Sequence, residues 1–147
     1  MIIISAKIEY GIFLLVYLVG NSNRLVSLTE VAEQEKISRG YLEEVAANLK
    51  RMKILNGKKG RGGGYILARD PRDIKISEII TALEGPISPV KCLDLPAGRH
   101  GLSANAARGQ GDLRCVKEKK CGTKKIWISL KNKIEEHLSE ISLADII

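Results

Sequence analysis

Three cysteines are the residues of this chain whose chemistry is most specific. Cys92, Cys115 and Cys121 follow one another with twenty-two and then five residues between them. Thiolates bind iron-sulfur clusters and zinc, and short spacings let a loop wrap a metal without regular secondary structure. The spacing alone leaves three interpretations open: a metal or cluster site, a thiol-based redox switch, and ordinary free cysteines.

A second group of residues is suited to binding phosphate. Residues 50–61 contain six Lys or Arg and no acidic residue, and a glycine-rich stretch closes the run. Cations on a helix end and on a hairpin can contact the phosphates on both sides of one groove. The alternative interpretation is that the run is only a solvated surface. With the helix that precedes the run, the candidate DNA-binding residues are Ser38, Arg39, Tyr41, Glu43, Lys50, Lys59 and Arg61.

Two of these candidates have side chains that can read a base edge. Arg39 can donate two hydrogen bonds to a guanine, and Glu43 can accept one from a cytosine amino group or repel other sequences. Both belong to the first turns of a predicted helix, where a recognition helix presents side chains to DNA.

The elements that carry these residues have the pattern of a helix-turn-helix. Apolar periodicity predicts helices that begin after the capping residues Ser5, Ser27, Ser38 and Ser77. Ser27 and the glutamate three residues later have the capping-box form. The third helix runs from residue 39 to about 52, only a few residues after the second one. Its apolar stripe, predicted to face the core, consists of Leu42, Val45, Ala46 and Leu49. In the first helix, the predicted buried face consists of Ile8, Ile12, Leu15, Val16 and Val19.

The glycine-rich segment Gly60–Gly64 lies between two short strand-like stretches, residues 54–59 and 65–67. This order predicts a β-hairpin, a wing. A nucleotide-binding loop is disfavoured, because such loops need a helix after the glycines.

The C-terminal part is predicted to be a loop over residues 93–114 and then a helix from Thr123. Its apolar stripe must be buried, and we expect a second copy of the chain to cover it in a two-fold homodimer. The alternative is packing on its own winged domain. The stripe consists of Ile126, Leu130, Ile134, Leu138 and Ile141, with Trp127 beside it.

The predicted fold class is therefore mainly α with a small β-hairpin wing. It is a winged helix-turn-helix plus a long C-terminal dimerisation helix. The predicted divisions are 1–86 for DNA binding, 87–122 for the cysteine loop and 123–147 for dimerisation.

Composition narrows the class of protein. The chain has 147 residues, a net charge of +7 and only 4% aromatic residues, which favours duplex over single-stranded nucleic acid. We expect no signal peptide and no membrane span, because the longest later apolar stretch, 11–20, is too short. We therefore expect a soluble, cytoplasmic protein, in which three cysteines are thiols or ligands rather than disulfides. No nucleophile with a partner His or Asp is evident, so an enzyme is not expected.

Several segments of the sequence resemble the Rrf2 family of bacterial transcription regulators, which has IscR-like, NsrR-like and CymR-like branches. The resemblance implies a homodimer crossed through the long C-terminal helix, two winged domains on a palindromic operator in double-stranded DNA, and in many members a 2Fe-2S cluster. The matching segments are Tyr10, 38–43, 60–65, 83–87, Trp127 and 141–145.

The resemblance also implies a ligand set. Cluster-binding members have three cysteines here, so Cys92, Cys115 and Cys121 are the implied metal ligands. IscR-like members have a histidine three residues after the last cysteine, where this chain has Lys124, which cannot ligate when protonated. Glu9 is then the first candidate for the fourth ligand, since NsrR-like members have an acidic residue at the corresponding point, donated across the dimer. His100 is the second candidate, and an ordinary surface carboxylate or a salt bridge to Lys7 is the alternative for Glu9.

Two departures from the family lie in the wing, and one segment favours another branch. Lys59 replaces a frequent arginine and Arg61 a frequent proline, so the donor arrangement in the wing differs.

The implied function is sensing of redox, iron or nitric oxide state through the cluster. Residues 83–90 resemble the CymR-like branch, which implies the alternative of a cluster-free regulator that controls sulfur and cysteine metabolism through a partner protein.

Overall fold

The computed structural model describes residues 4–90, 93 and 121–147. Cys92, His100 and Cys115 lie outside these residues, as does the loop predicted over 93–114 except for residue 93. The helices are α1 (Ala6–Gly20), α2 (Leu28–Glu35), α3 (Arg39–Arg51), α4 (Ile76–Glu84) and α5 (Lys124–Glu140); the strands are β1 (Leu55–Lys58) and β2 (Gly64–Leu67); and 3-10 turns cover Pro71–Asp73 and Leu143–Ile146.

The fold class predicted from the sequence, mainly helical with a small hairpin, is confirmed. β1 and β2 form a two-stranded antiparallel sheet in which Leu55 pairs with Leu67 and Lys58 with Gly64. The chain divides into two compact units, residues 1–85 with 138–147, and residues 86–137. The first unit contains the winged helix-turn-helix, and the second contains most of α5. The three divisions predicted from the sequence remain a proposal. Within the described ranges, no helix is both long and apolar enough to cross a membrane.

Helix α1 buries a different face from the one that its sequence predicts. Of the five residues expected inside, only Leu15 is fully buried, and the buried positions are Gly11, Leu14, Leu15 and Leu18. Nearly every residue from 11 to 20 is apolar, so the helix has no clear polar side from which a face can be deduced. The packing partner decides the face instead: at Gly11 the helix approaches Leu83 of α4 so closely that a Cβ would overlap the leucine methyl.

Capping differs from the prediction at three helices. Ser5 and Ser27 cap as expected, accepting from the backbone N–H of Ile8 and Glu30 at 3.4 and 3.2 Å. The side chain of Glu30 does not complete the capping box, because it binds Arg24 and Tyr17. Ser38 precedes α3 without a side-chain cap. Ser77 is wrong as a cap, since α4 begins at Ile76 and the Glu78 carboxylate accepts from the Lys75 N–H at 3.1 Å.

The C-terminal segment is part of the core of the first unit. Leu143 is fully buried. Its N–H donates to Ile74 O at 2.8 Å, and the Ile76 N–H donates to Ile141 O at 3.0 Å. The Ser142 N–H and hydroxyl both donate to the Asp145 carboxylate, which closes the final turn. These contacts fix residues 141–146 beside the start of α4.

Candidate nucleic-acid interface and cysteine site

Helix α3 is held in place by its apolar stripe, which leaves its polar face exposed. The four residues predicted to face the core, Leu42, Val45, Ala46 and Leu49, are all fully buried, and the helix packs on α1, α2, α4 and β1. On the opposite side Arg39, Glu43 and Lys50 are exposed. Spacings of four and seven residues place these three side chains along one face of the helix.

The hairpin is fixed to the helical part through the segment before α2. The Val26 N–H donates to Tyr65 O at 3.0 Å, and the Tyr65 N–H donates to Val26 O at 2.8 Å. Gly64 permits this approach, because a Cβ there would lie 2.5 Å from Val26 O. Gly60 and Gly62 at the tip have φ of 96° and 71°, which glycine adopts most readily. The Lys50 ammonium also reaches Gly57 O of β1, at 3.5 Å.

A cleft of about 450 Å³ lies between α3, the hairpin and the start of α2. Four cations and one carboxylate line it, so the walls are strongly positive. The N-terminal end of α2 adds a partial positive charge from its backbone dipole. Such a cleft suits an anionic chain such as a phosphate backbone. The charged lining residues are Arg39, Glu43, Lys50, Lys58 and Lys59.

The structure brings most of the predicted DNA-binding residues to this one surface. The Arg39 Nε donates to Glu43 Oε1 at 3.1 Å, so the two residues predicted to read base edges pair with each other within the helix. Ser38, Lys59 and Arg61 are exposed. Unlike these exposed candidates, Tyr41 is half-buried, and its ring makes an edge contact with Tyr10 at a centroid distance of 5.3 Å.

The sequence analysis missed the contribution of α2 to this surface. Ser27, Leu28 and Thr29 line the cleft at the N-terminal end of α2. The capping signal at Ser27 marks where this helix begins, but nothing in the sequence tells that its first turn faces the hairpin. That juxtaposition depends on the Val26 bridge to β2.

Of the three cysteines, Cys121 lies within the described residues, directly before α5. Its side chain is partly exposed, and its sulfur lies 3.4 Å from the Thr123 hydroxyl. Hydrogen bonds from the Thr123 side chain and from the backbone of Thr123 and Lys124, with the charge of Lys124, lower the pKa of the Cys121 thiol. A lowered pKa favours the thiolate, the form that ligates metals. Cys121 therefore fits the predicted ligand set.

Glu9 is exposed in the first turn of α1. It does not pair with Lys7, because the Lys7 ammonium lies 2.6 Å from Glu44 Oε1. The hydrogen bond that Lys7 donates to the Glu44 carboxylate raises the pKa of Lys7. The salt-bridge alternative for Glu9 is thus wrong, and its role as a ligand stays a prediction. In the described part of the chain, no three potential metal ligands lie together.

Comparison with known proteins agrees with the winged architecture. The family model Rrf2, described as an iron-dependent transcriptional regulator, matches residues 4–147. This chain belongs to the Rrf2 family. The family description agrees with the predicted class, a transcription regulator rather than an enzyme.

Two relatives and two solved structures show how far the similarity extends. The HTH-type regulator ORF2 of Azotobacter vinelandii is 34% identical over 85% of this chain, and IscR of Sodalis glossinidius 31% over 83%. The matches cover 66% and 64% of these relatives' lengths, less than two thirds. CymR (YrzC), the global cysteine regulator of B. subtilis, is 28% identical, with a TM-score of 0.69 over 99% of this chain and 96% of CymR. IscR of T. potens is 33% identical, with a TM-score of 0.64 over 99% of this chain and 85% of that one.

Proposed function

We propose that this member of the Rrf2 family binds double-stranded DNA with α3 in the major groove and the hairpin on the neighbouring backbone. The cationic cleft between α3 and the hairpin carries the proposal, because its walls present cations from two elements to one anionic chain. Family membership supports it. We assign Arg39, Glu43 and Ser38 to base edges, Lys50, Lys59 and Arg61 to phosphates, and Tyr41 to fixing the first turn of α3 through Tyr10.

We also propose that the active form is a homodimer on a palindromic operator, joined through α5. The support is that α5 contains no buried residue although it has a regular apolar stripe. In that stripe Ile126 is 62% exposed, and Leu130 and Ile134 are partly exposed. Covering a large aliphatic side chain contributes about 1.5–3 kcal/mol, so several along one helix can hold two chains together. We place the protein in the cytoplasm, where it can reach chromosomal DNA.

Selection from a random duplex library tests the DNA-binding proposal and does not require the operator sequence. We expect an enriched sequence with two-fold symmetry and half-sites separated by whole helical turns. Arg39→Ala should relax the preference at one position of each half-site, whereas Lys59→Ala should weaken binding to all sequences alike. No enrichment, together with no salt-dependent binding to any duplex, would end the proposal. Sedimentation of the protein and of Ile126→Asp tests the α5 dimer, which the aspartate should dissociate.

For the sensing function, we propose an iron-sulfur cluster held by Cys92, Cys115 and Cys121, with Glu9 as the fourth ligand and His100 as the second choice. The support is the lowered pKa of the Cys121 thiol, the family description as iron-dependent and the three cysteines of the sequence. A bound 2Fe-2S cluster would supply redox chemistry that responds to oxidant, nitric oxide or iron supply. This chain's contribution at the described cysteine, Cys121, is a thiol of lowered pKa directly before α5.

Anaerobic purification tests the cluster directly. We expect iron and acid-labile sulfide in the protein and visible absorption that bleaches in air. Replacing any of the three cysteines by serine should remove the iron, and Glu9→Ala should change the absorption spectrum or lower the retention of iron. Glu33→Ala, an exposed glutamate on α2, is the matched control and should leave both unchanged. Iron-free protein from anaerobic cells would exclude the cluster.

The second candidate is a cluster-free regulator of sulfur and cysteine metabolism that acts through a partner protein. The specific observation in its favour is the similarity to CymR, which extends over 99% of this chain. An iron-free protein that still binds its selected duplex, with binding altered by a second protein, would favour this alternative.

A further inference from the structure

Two lysines occupy backbone positions that favour glycine. Lys36 has φ of 57° and Lys53 has φ of 55°, and in the described ranges they are the non-glycine residues with positive φ. Side chains other than glycine, and to a lesser degree asparagine, rarely adopt this left-handed region because Cβ crowds the backbone. A lysine at such a position is therefore not explained by the local conformation.

Both positions belong to the same kind of helix ending. The Ile37 N–H donates back to Ala32 O at 3.2 Å, and the Ile54 N–H donates back to Leu49 O at 3.0 Å. In each case the left-handed residue comes directly before a buried isoleucine. This is the Schellman ending, whose left-handed position is usually glycine. The fold thus needs the turn twice, but it does not need a lysine in it.

The two lysines lie at opposite ends of α3. Lys36 comes two residues before Ser38, which precedes the helix, and Lys53 comes two residues after Arg51, its last residue. A helix of 13 residues is about 20 Å long, whereas the major groove is about 12 Å wide. When such a helix lies in the groove, residues beyond its two ends reach the two phosphate backbones that border it.

Charge and exposure agree with this placement. Both side chains are exposed, and among the described residues neither forms an ion pair. Lysines elsewhere in the chain, such as Lys7 and Lys131, pair with glutamates. The ammonium groups at the two ends of α3 are left for an anion from outside the chain.

We propose that Lys36 and Lys53 are phosphate-binding residues that hold the two DNA strands at either end of α3, and that this contact is why lysine stands where the backbone favours glycine. The proposal rests on the proposed DNA-binding function. It assigns a contact to Lys53 within the basic run 50–61 and adds one outside the run, from Lys36 in the turn between α2 and α3.

The test replaces each lysine by glycine, which suits the turn and removes only the side chain. Binding is measured by fluorescence anisotropy on a duplex selected from the random library and on a scrambled duplex of the same composition, between about 50 and 200 mM salt. Each variant should bind both duplexes more weakly by the same factor. Its plot of log K against log salt should be shallower by about 0.9. The melting temperature should be unchanged or higher, because glycine relieves the left-handed strain.

Two kinds of control separate a phosphate contact from other causes. Lys36→Arg and Lys53→Arg keep the charge and should bind with the wild-type slope. Arg72→Gln removes one charge from an exposed side chain in the turn Pro71–Asp73, which packs against Leu143–Ile146, and should also keep that slope. Lys36→Asn and Lys53→Asn provide second neutral variants that tolerate the turn.

Four results would overturn the proposal, and they differ in what else they affect. If the glycine variants keep the wild-type affinity and salt slope, the two lysines do not contact phosphate, and the proposed DNA binding itself still stands. A lower melting temperature with an unchanged slope would assign the lysines to stabilising the helix ends through the helix dipole. If Arg72→Gln lowers the affinity and the salt slope as much as the glycine variants do, the effect is one of net charge alone. A wild-type protein without salt-dependent binding would overturn the proposed function as well.

Discussion

Gly64→Ala should detach the hairpin from the rest of the winged domain. A Cβ at Gly64 would lie 2.5 Å from Val26 O and 2.7 Å from Val26 C, whereas ordinary contact begins near 3.4 Å. The obstructing atoms are backbone, so the two segments must separate by almost 1 Å. The two hydrogen bonds between Val26 and Tyr65, now 3.0 and 2.8 Å, would then exceed hydrogen-bonding distance.

The expected loss follows from these contacts. Two backbone hydrogen bonds contribute about 0.5–1.5 kcal/mol each, and overpacking costs about 1–3 kcal/mol. The free energy of unfolding should fall by about 3 kcal/mol, which leaves a domain of ordinary stability folded. Because the hairpin forms one wall of the cationic cleft, affinity for DNA should also fall.

Urea unfolding and amide hydrogen exchange measure the two effects. The urea midpoint should drop by about 1 M or more. The amides of Val26 and Tyr65 should exchange faster in Gly64→Ala than in the wild type. Gly20→Ala is the matched control, because a Cβ there meets nothing within 4 Å, and its stability should change by less than about 0.5 kcal/mol. Equal midpoints and equal protection in the two variants would refute this account of Gly64.

Three further predictions concern the core and one surface network. Leu143→Ala should lower the free energy of unfolding by about 2–4 kcal/mol in a urea titration, because this fully buried side chain fixes the C-terminal turn. Hydrogen bonds donated by Arg24, the larger contribution, and by Tyr17 lower the pKa of Glu30 from 4.5 to about 2. The stabilisation of the folded state by the ionised Glu30 carboxylate is thus fully present above pH 4.5 and is lost as the pH falls toward 2. Glu30→Gln should remove at most about 1 kcal/mol of this pH-dependent stability, since the pair is partly solvated. Gly11→Ala should lower the free energy of unfolding by about 1–3 kcal/mol, because the new methyl group overlaps Leu83.

Each of these predictions has a comparison variant. Ile147→Ala removes a 60% exposed side chain and should leave the unfolding midpoint unchanged. Glu35→Gln, at the exposed end of α2, should keep the wild-type pH dependence between pH 6 and 3. The double variant Gly11→Ala with Leu83→Ala should lose less free energy of unfolding than the sum of the two single variants, because alanine at position 83 makes room for the methyl group at position 11. Additive losses would contradict direct contact at that site.

The sequence could predict elements whose apolar residues lie on one side only. In α3, four apolar residues recur at helical spacing on one side of the helix, and all four are buried as expected. The hairpin followed from glycines with strand-like residues on either side. The cysteines and the basic run were visible as residue types, because ligand and phosphate chemistry depends on the side chain itself.

Elements without a polar side could not be placed in this way. Helix α1 is apolar almost all round, so only packing against α4 selects Leu14 and Leu18 over Val16 and Val19 for the core. Ser77 has a capping side chain, but Glu78 and Lys75 start the helix earlier. The composition of the C-terminal segment likewise did not tell that Leu143 enters the core.

The sequence by itself determined the helix-turn-helix pattern, the hairpin and the candidate chemistry, because these depend on local propensity and on the type of each side chain. Only the tertiary structure decided that the start of α2, the exposed face of α3 and the hairpin line one positive cleft. It also decided that Lys36 and Lys53 stand in left-handed turns at the two ends of α3. The first result depends on contacts between residues far apart in the chain, such as Val26 with Tyr65. The second depends on how each helix ends, with the N–H of Ile37 or Ile54 bonded back to the last turn.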